Sequence, residues 1–122
     1  MNTHAVNWFE IPAADMTRAV KFYETIFAVS LRREMIGDEL AIFPSDEAGV
    51  GGCVMHSANS QPSADGTVVY LNAEPSIDTV LDRVAKSGGK IVVPKTALPP
   101  GMGFFAHIMD TEGNRVGLHA MN

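Results

Sequence analysis

Glu10, His107, Arg115 and His119 are the residues of this 122-residue chain whose types could do chemistry in a pocket, because each lies inside a short apolar run. A carboxylate or an imidazole held in such a place can serve as a general base, and a guanidinium can anchor an anion. Each also has a structural reading. Glu10, beside Pro12, either lines a pocket or pairs with Arg115 or another cation, and each histidine is either a base or a hydrogen-bonded framework group. Cys53 is the single cysteine, and nothing next to it in sequence promises a lowered thiol pKa. Other chemistry is missing from the sequence. Gly49-Val50-Gly51-Gly52 lacks the Lys-Ser/Thr of a phosphate loop, and neither a Gly-x-Ser-x-Gly elbow nor a His-x-x-x-His pair on a helix occurs.

The elements that must position these residues occur twice. The first half reads as a strand over Val6–Ile11, then Asp15 opening an amphipathic helix to about Phe27. Strands near Leu31–Met35, Glu39–Phe43 and Gly49–His56 follow. The second half reads as a strand over Thr67–Ala73, then Ser76 opening a helix to about Ser87. Strands near Ile91–Val93, Phe104–Met109 and Arg115–His119 complete it. Asp15 and Ser76 are N-cap residues, and they set an offset of 61 between the halves. Ala19, Val20, Phe22, Tyr23, Ile26 and Phe27 recur at helical spacing, as do Ile77, Val80, Leu81 and Val84. Gly88-Gly89 stops the second helix, whereas the first ends at Ala28-Val29 without a glycine. Asp110 and Asn114 read as turn formers, and Leu98–Gly103 as a flexible lip. The expectation is one α+β domain over residues 1–122, made of two tandem βαβββ modules forming curved mixed sheets around a central cavity. Module 1 spans about 1–57, a polar linker about 58–66, and module 2 about 67–122.

Composition narrows the partners. A net charge of −5 without a Lys/Arg cluster argues against nucleic acid. No apolar run reaches the length of a membrane span, and the N-terminal stretch carries no signal-peptide pattern. One cysteine fits a reducing, cytoplasmic compartment.

Phe9-Glu10-Ile11-Pro12, Ala14-Asp15-Met16 and Phe22-Tyr23 resemble the opening of the vicinal-oxygen-chelate superfamily, which includes glyoxalase I, extradiol dioxygenases and bleomycin- or fosfomycin-resistance proteins. Val69-Tyr70-Leu71-Asn72, Ser87-Gly88-Gly89-Lys90, Pro94-Lys95-Thr96 and the run Asp110–His119 resemble its small bacterial glyoxalase-like members. The resemblance covers essentially the whole chain. It implies the duplicated fold, a homodimer, and in active members one divalent metal held from the first and last strands of the modules. The implied ligand positions are Trp8, its repeat mate Val69, Gly117 and Cys53, with Gly52 if the loop shifts by one. Trp, Val and Gly offer no side-chain donor to a metal, so no metal and no other cofactor are expected. An off-register trio of Glu10, His107 and His119 has no spacing signature.

Strand alternation gives the cavity lining, because residues two apart share a face. Counting from those positions, and back from Asp110 for Phe105 and His107, puts Trp8, Glu10, Cys53, Met55, Leu71, Phe105, His107, Arg115 and His119 in an apolar cup with a few polar groups. Trp8 either packs where a metal would lie or stacks on a ligand. The expected function is a metal-free glyoxalase/bleomycin-resistance-like protein that binds a small, partly apolar ligand. The alternative is a lyase or isomerase acting on a small carbonyl compound, with Glu10, His107 or His119 as general base.

Overall fold

The computed structural model describes residues 4–122, so the first three residues of module 1 lie outside it. The elements run β1 (Trp8–Pro12), α1 (Met16–Phe27), β2 (Arg32–Ile36), β3 (Asp38–Ile42), β4 (Gly51–His56), then β5 (Tyr70–Asn72), α2 (Ile77–Lys86), β6 (Lys90–Ala97), β7 (Phe104–Met109) and β8 (Arg115–Ala120). This is βαβββ twice, as the sequence pattern predicts. Each module is a four-stranded mixed sheet, ordered β1-β4-β3-β2 and β5-β8-β7-β6. The first strand of each lies parallel to the last, and the others are antiparallel.

Several strand bounds differ from expectation. β1 starts at Trp8 rather than Val6, β4 at Gly51 rather than Gly49, and β5 is only three residues long. β6 instead extends through Pro94 to Ala97, with register shifts on either side of Val93. A proline, which supplies no ladder donor, is tolerated there because β6 is an edge strand.

Both helices begin where the caps predict. The Asp15 carboxylate accepts from the Arg18 N–H at 3.1 Å, and the Ser76 hydroxyl accepts from the Thr79 N–H at 3.4 Å. The exit of α1 is made by Ala28, which takes a left-handed conformation (φ 53°) and donates its N–H to the Glu24 carbonyl. Phe22, Tyr23 and Ile26 of α1 are buried, and so are Ile77, Val80, Leu81 and Val84 of α2. They meet Ile11, Val54, Leu71, Ile108, Val116 and Leu118 from the helix-covered faces of the two sheets in one continuous core.

The modules are joined by the turn between β7 and β8. Glu112 reaches the start of α1, where its Oε1 accepts from the Ala14 and Asp15 N–H groups at 2.8 Å each. Arg18 donates through Nε to Oε2 at 2.6 Å and through Nη2 to Oε1 at 3.1 Å. Tyr23 donates its hydroxyl to Asp110 at 2.7 Å, and Asn114 donates Nδ2–H to the Pro12 carbonyl at 2.7 Å. Asp110 and Asn114 are thus turn formers, as expected, and buried anchors as well. Burial raises the Tyr23 hydroxyl well above its ordinary pKa, and the neighbouring Asp110 adds to the shift.

The Glu112 side chain is only 1% exposed. Burial pushes its carboxyl up, but hydrogen bonds from Arg18, the Asp15 backbone and Thr111 outweigh that and hold it below the ordinary range. A carboxyl held low stabilises the fold above its unfolded pKa, and that stabilisation is lost as pH falls through the folded value. Glu112→Gln should therefore cost about 1.5–3 kcal/mol in urea unfolding at pH 7. The gap between wild type and variant should shrink as the pH drops below 4.5. A gap that stays constant down to strong acid would show that the charge on Glu112 contributes nothing.

Candidate functional site

The face of each sheet away from the helices is open, and it carries most of the expected site residues. On the second sheet Gly117 of β8 pairs with Tyr70 of β5 on one side and with His107 of β7 on the other. A Cβ on Gly117 would stand 2.4 Å from Tyr70 Cδ2. Because none is there, Tyr70 and His107 meet across the glycine, Oη to Nε2, at 2.6 Å. Phe105 completes a ring cluster, its centroid 6.4 Å from that of Tyr70 and 5.7 Å from that of His107. The other imidazole nitrogen, Nδ1, lies 3.0 Å from Arg115 Nη1. A guanidinium can only donate, so Nδ1 accepts and the ring proton sits on Nε2. The Nε2–H then donates to the Tyr70 oxygen, and the Tyr70 hydroxyl proton is left free. Burial lowers the His107 pKa below its ordinary value, and the charge of Arg115 lowers it further.

His119, two residues beyond Gly117 on β8, donates its Nε2–H to the Met102 carbonyl at 2.7 Å. A carbonyl can only accept, so Nε2 carries the proton and Nδ1 is open. This bond, with Leu98 N–H to Gly103 O at 2.9 Å and Met102 N–H to Pro99 O at 3.0 Å, holds the Leu98–Gly103 segment in a defined turn. Under that turn lies a mainly apolar cavity of about 480 Å³ lined by Tyr70, Leu98, Met102, Phe105 and His119.

On the first sheet Trp8 lies over Gly51, whose added Cβ would be 3.1 Å from the indole. Trp8 stays 44% exposed and shares a pocket of about 490 Å³ with Glu10, Ile36, Leu40 and Met55. Glu10 pairs in register with Cys53. Burial pushes the Cys53 thiol up to about 12, with the Glu10 charge adding to the shift. That thiol is protonated at neutral pH and is not a nucleophile.

Between the two sheets, Glu10 and Arg115 line the same cavity of about 240 Å³ along with Thr67 and Val69. They form no ion pair there. Arg115 bonds His107, and no carboxylate of a described residue lies within 4 Å of its guanidinium. Leu71 departs from expectation: it packs into the core beside Leu118 and only edges a cavity between the modules. The cause is a register slip. The Ala13 N–H bonds Met55 O just as the Ala73 N–H bonds His119 O, so the strands repeat with an offset of 60, one fewer than the helix caps. Tyr70, not Val69 or Leu71, is therefore the open-face counterpart of Glu10, and Val68 is the counterpart of Trp8. Aligning the two strands on Ala13 and Ala73 would have revealed it.

Residues 5–118 match the family described as the Glyoxalase/Bleomycin resistance protein/Dioxygenase superfamily. The chain belongs to that superfamily. A glyoxylase-like domain-containing protein of Didymella fabae is 30% identical over 115 residues, covering 89% of this chain and 88% of that one. Among solved structures, a hypothetical protein from S. aureus superposes with a TM-score of 0.70 at 15% identity, covering 98% and 95% of the two chains. The fosfomycin resistance protein FosX from Listeria monocytogenes superposes with a TM-score of 0.70 at 17% identity, covering 98% and 93%. These two likenesses concern the fold.

For this superfamily member the metal positions implied by sequence resemblance hold Trp8, Cys53, Gly117 and, after the register correction, Val68. An indole, a buried high-pKa thiol, a valine and a glycine covered by Tyr70 do not fit a divalent ion. Glu10 is on one sheet, His107 and His119 are on the other, and among the described residues no group of three or more His, Cys, Asp and Glu could hold a metal. No helix among the described residues is long and apolar enough to cross a membrane.

An NMR titration of the histidine ring protons should give His107 a midpoint below 6.5. In Arg115→Gln that midpoint should rise only part of the way back, because burial remains. The neutral ring stabilises the fold fully above 6.5 and less as pH falls through the folded value. A midpoint at or above 6.5 in the parent protein would remove the basis for the Nε2–H assignment.

Proposed function

We propose that this chain is a metal-independent small-molecule-binding member of the glyoxalase superfamily, and that its ligand is small and partly apolar. The observation carrying this reading is Tyr70 bridging to His107 over Gly117, on the strand position where the family resemblance implies a metal ligand. The ring fills that space, and beside it lies the apolar cavity under the Leu98–Gly103 turn. Ligand pockets are commonly apolar with a few fixed polar groups. Here the walls are Leu98, Met102 and Phe105, and the polar groups are Tyr70, His119 and, behind Tyr70, His107.

General-base catalysis on a carbonyl compound has less support. His107 has both nitrogens engaged, and His119 uses Nε2 to hold the turn. Glu10 stands apart from both, among Trp8 and Met55.

Two measurements test the reading together. Purified protein should contain less than one equivalent of any divalent metal, and its melting temperature should ignore chelator. In saturation-transfer NMR, a set of monocyclic aromatic alcohols, amides and acids should include binders that shift the amides of Leu98, Met102, Phe105 and His119. One equivalent of metal, lost together with stability on chelation, would overturn the metal-free part. No binder in the set would overturn the assignment of this cavity.

We further infer that the protein is a homodimer confined to the cytoplasm. The edge strand β2 leaves Met35 and Ile36 exposed, 74% and 67%, and exposed apolar edges of this kind are ordinarily covered. Sedimentation equilibrium should give twice the 13.1 kDa chain mass. The single-chain mass at micromolar protein would reject the dimer.

A further inference from the structure

We propose that the cavity between the two sheets, separate from the one under the Leu98–Gly103 turn, is a second binding site, and that it takes a small aliphatic α-amino acid. Glu10 receives the ammonium group, Arg115 the carboxylate, and the apolar wall the side chain.

The charges carry it. Glu10 of β1 and Arg115 of β8 line this one cavity, yet they stand more than 4 Å apart and form no ion pair. Glu10 makes no hydrogen bond or ion pair with any described residue. Arg115 is half-buried and gives one N–H to His107 Nδ1 at 3.0 Å. That contact positions the guanidinium and leaves its other donors unspent. Opposite charges that share a cavity without meeting are completed by a ligand that carries both signs. A lone carboxylate on Arg115 would face Glu10 and be repelled, and a lone amine on Glu10 would face Arg115. An uncharged ligand would satisfy neither.

The walls decide what the rest of the molecule looks like. Ile11, Val69 and Val116 give the cavity apolar area, against which an aliphatic side chain is favoured. Its volume of about 240 Å³ falls below the roughly 300–1,000 Å³ of ordinary small-molecule pockets, which suits one amino acid and not a peptide. The walls are also bonded to one another. Asn114 donates Nδ2–H to the Pro12 carbonyl at 2.7 Å, and its Oδ1 accepts from the Ser63 N–H at 3.1 Å. The end of β1, the linker and the start of β8 are thereby held together, so little ordering is left to oppose binding.

The test titrates the full chain at neutral pH, by amide shift mapping, with three compounds. L-Valine carries both charges, isovalerate lacks the ammonium group, and isobutylamine lacks the carboxylate. Valine should bind at least about tenfold tighter than either, the difference expected of hydrogen bonds to a charged group. It should shift the amides of Thr67, Val69 and Arg115 and leave those of Leu98 and Met102 in place. Glu10→Gln should weaken valine at least about tenfold and bring isovalerate level with it or above. Arg115→Gln should do the same for isobutylamine. Circular dichroism melts establish that the variants fold. Glu10 has no partner to lose, so Glu10→Gln decides the matter if Arg115→Gln does not fold. Four results would each overturn the amino-acid site: equal affinity for valine and a single ion, valine binding that survives Glu10→Gln, shifts confined to the Leu98–Gly103 cavity, or no valine binding at millimolar concentration. The fragment screen of the apolar cavity succeeds or fails independently of all four.

Discussion

The contact on which the whole arrangement depends is the β7–β8 turn seated against the start of the first module. A helix N-terminus leaves backbone N–H groups without intrahelical partners and carries partial positive charge. Here Asp15 caps one N–H of α1 from within its own module, and Glu112 of the opposite module takes the N–H groups of Asp15 itself and of Ala14 before it. Asp110 and Asn114 extend the same turn to Tyr23 and Pro12. Because the bonds to the buried Glu112 and Asp110 carboxylates are charge-assisted, they fix the approach of the two modules in a way that apolar packing alone, which has no direction, does not. The continuous core between α1, α2 and the covered sheet faces follows from that fixed approach. So does the cavity between the two modules that Glu10 of β1 and Arg115 of β8 both line.

Within that frame, glycines decide what each open face can hold. Gly51 makes room for Trp8, and Gly117 makes room for the Tyr70–His107 bridge. Gly52 does the same on the covered face for Phe9, whose ring would lie 2.2 Å from an added Cβ. In each case the strand gives up a side chain, and a ring from the neighbouring parallel strand lies across the gap. A glycine weakens a strand's own propensity, and a close approach of this kind is where that cost is accepted. The site is thus organised by what is missing from β4 and β8 as much as by what they carry.

Most of the fold was legible. Asp15 and Ser76 announced the two helices, the apolar spacing behind them gave the buried faces, and the run Asp110–Asn114 gave the turn. The site was legible only in part. Phe105, His107, Arg115 and His119 stand on the open face, as alternation on β7 and β8 requires. β5 went wrong because the repeat was measured between helix caps. Two residues, Glu74 and Pro75, separate Ala73 from Ser76, whereas only Ala14 separates Ala13 from Asp15. One extra residue in a connection leaves a helix face unchanged but turns every strand side chain to the other side. That moved Leu71 into the expected cup and Tyr70 out of it. The hydrogen bonds of His107 lay beyond sequence reasoning, since they depend on side chains from three strands meeting over one glycine.

The duplication also explains why chemistry concentrates in the second module. Corrected register makes Glu10 and Tyr70 equivalent, as it does Cys53 and Gly117. In the first sheet this gives a carboxylate beside a thiol, and burial together with the Glu10 charge pushes the Cys53 thiol up to about 12. In the second sheet the same two places hold a hydroxyl and no side chain at all. The hydroxyl can then reach a histidine whose far nitrogen is already taken by a cation. The second sheet leaves the Tyr70 hydroxyl proton without an acceptor and Arg115 without a carboxylate of a described residue within 4 Å.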